Sequence, residues 1–306
     1  MTLRFQVFLV LLPFIFSLLN QEEYKGGDVI SWGGDRRGQV SQSPAFDDFI
    51  DISAGELHSI ALREDGSVVV WGSDRNGQIS QAPKENNFID VSAGSNHNVA
   101  LTENGKVVYW GWDYTMNSDY SRGSVPTRPG FVAVSAAGTH SLALHKDGSI
   151  YAWGWNVNGV VGRTPKGNDF VAISAGAHHN LALREDGTIV AWGDDMFGSV
   201  EDTPTDGGYI AVEAGALHSL ALREDGSIAA WGWDLKNEVS DAPKGKGFKA
   251  LSAGYSHSLA LTEDGTIKVW GWERNDEGQI SEVPEGNGFT QISAGYFHNM
   301  AIKGSN

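Results

Sequence analysis

The side chains best suited to chemistry recur at fixed intervals along this 306-residue chain. Seven histidines, His58, His97, His140, His179, His218, His257 and His298, share one register. Six of them have glycine three residues earlier, and Ala137 stands there in the third copy. Seven Trp-Gly pairs begin at Trp32, Trp71, Trp110, Trp153, Trp192, Trp231 and Trp270, spaced 39, 39, 43, 39, 39 and 39 residues. A set of imidazoles invites a metal reading. A transition-metal site takes about four protein ligands at roughly 2.1 Å, and seven equivalent positions on separate repeats do not converge on one ion. The pattern predicts a structural role instead, each imidazole hydrogen-bonding its own turn and satisfying buried backbone groups. His145 and His178 fall outside the register, and His178, in a loop beside His179, is the one to watch for function. The repeated tryptophans predict core, each burying on the order of 150–250 Å².

No catalytic constellation accompanies them. HExxH, GxSxG, GxxxxGK and a GxGxxG after a strand are all absent. Asp74-x-Asn76-Gly77 shares the opening of a calcium loop but lacks the remaining ligands. Cysteine is absent, which excludes disulfides, thiolate metal sites and a cysteine nucleophile. The reading is therefore a non-enzyme with no catalytic residue, metal or cofactor. Beyond the first twenty residues the chain has 21 basic against 38 acidic residues, which opposes phosphate-backbone binding and favours a basic partner surface.

The elements that position these residues follow from one copy, residues 49 to 83. His58, Ile60 and Leu62 alternate with Ser59 and Ala61, a period of two that predicts a strand with one large and one small face. Such faces suit sheets stacked large against small. Asp65-Gly66 marks a two-residue hairpin turn with positive φ. Four strand-like stretches per copy, seven times over, predict an all-β, seven-bladed β-propeller with four-stranded blades. The chain enters at the third strand of a copy and leaves after the second. The terminal strands are therefore expected to pair in one blade and close the ring, whereas an open stack would want distinct caps. Residues 23–306 form this single domain. Residues 1–22 read as a signal-peptide-like segment: Arg4 precedes an apolar run over residues 5–19, too short for a typical membrane span. No small-x-small pair precedes Gln21-Glu22, so an uncleaved anchor is the alternative. Either places the folded part in a secreted or extracytoplasmic setting.

The pattern SAGxxHSxALxxDGxxxxWGxxxxGQ, running through residues 26 to 303, resembles the repeat of the regulator of chromosome condensation family. Its short, near-uniform period is more similar to the propeller-type β-lactamase inhibitory proteins of that superfamily than to the longer eukaryotic repeat. The resemblance implies a propeller. It leaves function open, because relatives include a guanine-nucleotide exchange factor on chromatin, enzyme inhibitors and secreted proteins. The acidic charge and the leader-like segment argue against the exchange role.

Comparing the copies separates scaffold from function. In an up-and-down blade the loops after Trp-Gly and the Gly-x-x-His loops share one face. The Asp-Gly turns scarcely vary, whereas the post-Trp-Gly loops differ in length and content, and variable loops on a rigid frame are where binding resides. The expected partner-binding set is Trp112, Asp113, Tyr114, Trp155, Asp195, Phe197, Trp233, Asp234, Trp272 and Glu273 after Trp-Gly, with Tyr255, Tyr296 and Phe297 in the Gly-x-x-His loops. A competing reading has the second tryptophan of each Trp-Gly-Trp packing on its neighbouring loop. The resemblance to inhibitory proteins implies that aromatic and acidic loop residues on one face bind an enzyme. The expectation is a monomeric, protein-binding scaffold that takes no nucleic acid and enters no membrane unless residues 1–22 are retained. Its most specific form inhibits an extracytoplasmic enzyme such as a β-lactamase; the alternatives are a carbohydrate-binding propeller and an exchange-type regulator.

Overall fold

A computed structural model describes residues 26–112, 121–272 and 276–304. Each copy folds into an antiparallel three-stranded meander. β1 (Gly27–Gly33) is followed by β2 (Phe49–Ala54), β3 (His58–Arg63) and β4 (Val68–Gly72), and then by β5 (Phe88–Ala93), β6 (His97–Thr102) and β7 (Val107–Gly111). The two-residue β8 (Ser121–Arg122) precedes β9 (Phe131–Ala136), β10 (His140–His145) and β11 (Ile150–Trp155). The later copies are β12 (Phe170–Ala175), β13 (His179–Arg184) and β14 (Ile189–Gly193), then β15 (Tyr209–Ala214), β16 (His218–Arg223) and β17 (Ile228–Gly232). β18 (Phe248–Ala253), β19 (His257–Thr262) and β20 (Ile267–Gly271) precede β21 (Phe289–Ala294) and β22 (His298–Gly304). Gly66, at φ +77°, closes the Asp-Gly turn between β3 and β4, where a side chain would strain the left-handed backbone.

The middle strand of every copy is buried on both faces, and stacking follows the large-against-small rule. Ile60 and Leu62 of β3 pack on Ala100, Phe88 and Trp110 of the next copy. Val99 and Leu101 pack on Ala143, Phe131 and Trp153. Leu259 and Leu261 pack on Ala301, Phe289 and Trp32, and Met300 and Ile302 pack on Ala61, Phe49 and Trp71. Each such branched side chain contributes about 1.5–3 kcal/mol on burial. The small face is needed because there is no room for a second large one.

The strand count is corrected. Among the described residues there are six sheets, mostly three-stranded, and none closes on itself. β22 lies between β21 and β1, pairing with β1 from Gly27↔Gly304 to Gly33↔His298, so the two chain ends do meet in one group of strands. A single further pair, Gly27↔Phe49, merges this group with β2–β4 into a six-stranded sheet. A fourth strand exists only where β8 pairs with β11. Elsewhere the fourth stretch is held as a turn by an acidic or amide side chain. Asp35 Oδ1 accepts the N–H groups of Val40 and Ser41, and Asp74, Asn156, Asp195, Asp234 and Asp276 repeat this arrangement with small shifts of register. A backbone folded around a carboxylate cannot extend into a ladder.

The histidines are corrected too. Each imidazole Nε2 bonds the following copy, not its own turn. His58 donates to Asn98 Oδ1 at 2.9 Å, His97 pairs with Ser141, His140 with Asn180 and His179 with Ser219. His218 pairs with Ser258, His257 with Asn299, and His298 with Ser59, at the start of the series. The earlier glycine has a steric reason: a Cβ on Gly55 would stand 2.8 Å from the His58 ring. Burial pushes these imidazoles down, to about 4 for His58 and His140 and about 3 for His97, His179, His218 and His298, with His257 lowered as well. They stay neutral and serve the frame.

Candidate binding face

The loops expected to share a face do so, bonded to each other. In each copy the residue after Trp-Gly donates its N–H to the carbonyl just before the register histidine: Ser73 to Leu57, Trp112 to Asn96, Trp155 to Thr139, Asp194 to His178, Trp233 to Leu217 and Trp272 to Ser256. Beyond this contact the loop dives inward. Gln39, Gln78, Val160, Ser199, Glu238 and Gln279 are buried, and their carbonyls accept the indole N–H of Trp71, Trp110, Trp192, Trp231, Trp270 and Trp32 at 2.8–3.1 Å. A loop tip is therefore gripped on both sides and projects from a fixed base.

At the centre, the paired small residues from Ala54–Gly55 through Ala294–Gly295 line one axial cavity. Tyr296 crosses its mouth: the Ser95 hydroxyl donates to the Tyr296 hydroxyl at 2.9 Å, and a Cβ on Gly138 would lie 3.4 Å from the same oxygen. Tyr255 stacks on Tyr296 at 4.8 Å, and Phe297 lies 6.3 Å from Tyr296 under the Arg36 guanidinium. Below the mouth, serines close the gap between inner strands. The N–H groups of Ala54, Ala93, Ala136, Ala175, Ala214 and Ala294 each bond the serine hydroxyl of the preceding copy at 2.9 Å. Glu213 takes the serine place once, and burial pushes its carboxyl up to about 8. Burial also raises Asp51, to about 6, and Asp90, where the neighbouring Asp51 charge adds to the effect. Among the described residues no three His, Asp or Glu side chains gather to hold a metal ion.

The sequence-predicted residues divide into groups. Tyr255, Tyr296 and Phe297 come together at the axis. Phe197 meets Trp233 edge-on at 3.9 Å, and Lys236 Nζ lies 3.2 Å over the Trp272 ring, so these two tryptophans do pack on the neighbouring loop. Trp112 is 48% exposed and Trp155 is half-buried at the end of β11. Asp195 and Asp234 belong to the frame, since one oxygen of each holds its turn. Asp113, Tyr114, Glu273 and the segment 1–22 lie outside the described residues. His178 is exposed on the face, and its carbonyl anchors the Asp194 loop.

Three apolar tips escaped the sequence reading: Val157, Met196 (69% exposed) and Leu235 (76% exposed). They occupy the loop position held by Arg36 and Arg75 in the first copies. Aligning the loops on Trp-Gly would have revealed this exchange; a search for aromatics could not.

The repeat model of the regulator of chromosome condensation (RCC1) matches residues 49–78, 88–115, 131–160, 170–198, 209–237 and 248–279. The chain belongs to the RCC1 repeat family. No curated protein matches it by sequence. Solved structures share the fold. Human WBSCR16 is 16% identical, with a TM-score of 0.73 over 92% of this chain and 100% of that one. Prp20p from Saccharomyces cerevisiae, described with its binding properties to Gsp1p and histones, is 18% identical, with a TM-score of 0.71 over 92% and 93%. The ectodomain of the receptor kinase ACR4 from Arabidopsis thaliana is 21% identical, with a TM-score of 0.65 over 84% and 93%. At these identities the likeness speaks for the RCC1-like propeller and not for a shared partner.

Proposed function

We propose that this RCC1-repeat chain is a protein-binding propeller: a closed ring of seven blades, the last assembled from β21, β22 and β1, that offers its Trp-Gly and Gly-x-x-His loops to a protein partner outside the cytoplasm. One observation carries the reading. Of the six large apolar residues most exposed among the described ones, five (Trp112, Val157, Met196, Leu235 and Tyr255) lie on this face. Exposed apolar residues grouped on a rigid base, ringed by polar ones, mark docking surfaces. Protein binding by Prp20p agrees with the same use of the fold. Inhibition of an extracytoplasmic enzyme such as a β-lactamase is the most specific form of the proposal; it rests on the repeat resemblance and on residues 1–22. The protein is read as a binder with no reaction of its own.

The test is surface capture of purified β-lactamases and penicillin-recognising enzymes, run beside a glycan array. The comparison is between the wild type and a Trp112→Ala/Met196→Ser/Leu235→Ser/Tyr255→Ala variant. Capture by the wild type, lost in the variant at an unchanged melting temperature, supports the proposal. Equal capture by both moves the site off this face, and glycan binding without protein capture replaces the reading with a lectin.

A further inference from the structure

We infer that the partner presents a basic surface bearing apolar side chains, and that it seats on one sector of the face: the loops 192–204 and 231–243 with Trp272 and residues 276–284. This rests on the reading of the loop face as protein-binding and adds where on it and with what chemistry.

Two independent features coincide in this sector. The first is apolar. Met196 and Leu235 are exposed on successive loops, and these loops are linked to each other and to the next by the Phe197–Trp233 ring contact and by Lys236 over Trp272. The second is charge. Within the sector, basic and acidic residues sum to a net −9, whereas the loops 32–44, 71–83 and 153–165 sum to +2. The sector is thus the acidic part of the face and carries Met196 and Leu235, whereas the loops 32–44 and 71–83 carry Arg36 and Arg75 at the same position, Arg36 meeting the sector at Glu277.

Part of that acid is spent within the fold. Asp195, Asp234 and Asp276 hold turns, Glu238 is buried, and Glu277 pairs with Arg36. Glu201, Asp202, Asp241 and Glu282 are exposed, with no ion-pair partner among the described residues. The sector therefore combines exposed apolar tips with exposed carboxylates that have no ion-pair partner among the described residues, the mixture of apolar anchors and polar surroundings that protein interfaces use. Such carboxylates speed the approach of a basic partner and turn away an acidic one. Nucleic acid fails the charge requirement.

Two synthetic peptides of equal length test this. Both carry the same tryptophans and leucines; the remaining positions are lysine in one and glutamate in the other. Affinity is measured at low and at physiological salt, with hydrogen-exchange protection locating the bound peptide. The lysine peptide is expected to bind and to protect 192–204 and 231–243. Glu201→Gln/Asp202→Asn/Asp241→Asn, which spares every turn anchor, should slow its association on the order of tenfold at low salt without shifting the melting temperature. Met196→Ser/Leu235→Ser should weaken binding at both salt concentrations. Protection confined to 32–44 and 71–83 overturns the sector while leaving the face standing. Protection confined to the Asp-Gly turns overturns both. Equal binding of the glutamate peptide, or no binding of the lysine peptide, overturns the partner chemistry.

Discussion

The inner belt and the loop tips lie only a few residues apart in every copy, yet they follow opposite rules. In the belt each histidine reaches a serine or asparagine of the next copy, and each buried turn carbonyl takes an indole N–H wherever that turn is formed. One substitution there affects two copies at once. At the tips the same position is arginine, valine, methionine or leucine, and the fold accommodates them all because the tip is held from below. Repetition is enforced where groups are buried and must be satisfied, and released where water satisfies them.

The largest break in this contrast should come from acid. Six register imidazoles have folded values of about 3 to 4, and His257 is lowered in the same direction. The six stabilise the fold while unprotonated, so stability falls as pH drops below about 6.5 toward those values of about 3 to 4. Each costs on the order of 2 kcal/mol by pH 5. Asp51, Asp90 and Glu213 act in the opposite sense, since their raised values make them destabilising as pH rises, but they are three against seven. Denaturant melts across pH 7 to 4 should show a steep net loss; a flat profile would remove the neutral belt from the account.

Trp71→Ala comes next. It deletes a ring packed among Phe49, Ala61 and Met300, together with the bond to Gln39, and should cost about 3–5 kcal/mol by chemical denaturation. Smaller and opposite in sign, Glu213→Ser restores the serine belt and removes a buried carboxyl. It should stabilise by about 1–3 kcal/mol, most above pH 8 and least below pH 4.5, where the part linked to ionisation is gone, the sign that a raised folded value requires. The smallest change is expected from Met196→Ser/Leu235→Ser, within about 0.5 kcal/mol in stability. A larger loss would place these tips in the frame and dissolve the contrast.

Much of this was legible in the sequence. Period-two alternation and the Asp-Gly turns located the strands, and the split copy at the chain ends foretold the pairing of β1 with β22. The face was legible as well, because loops that alternate along a meander must emerge on alternate ends. The aromatic residues proposed for the face stand out in the sequence by their departure from the repeat, whereas Met196 and Leu235 do not, because an apolar residue in a loop looks unremarkable without its arginine counterparts beside it. Asp195 and Asp234 are exposed, and that one oxygen of each also holds a turn was not legible, because a carboxylate that holds a turn and one that only faces water read alike in a sequence.

The sequence by itself determined the repeat, the class of fold, the buried and exposed sides of each strand and the end of the molecule where variation gathers, since all of these follow from local periodicity and turn chemistry. Tertiary structure alone decided that the blades are three-stranded, that the histidines bridge copies, and that Tyr296 lies across the axis to reach Ser95. The first outcome turns on a side chain that captures the backbone five and six residues on; the other two depend on which groups meet across a copy boundary, roughly forty residues or more apart in the chain, where competition for a buried hydrogen bond is settled by packing.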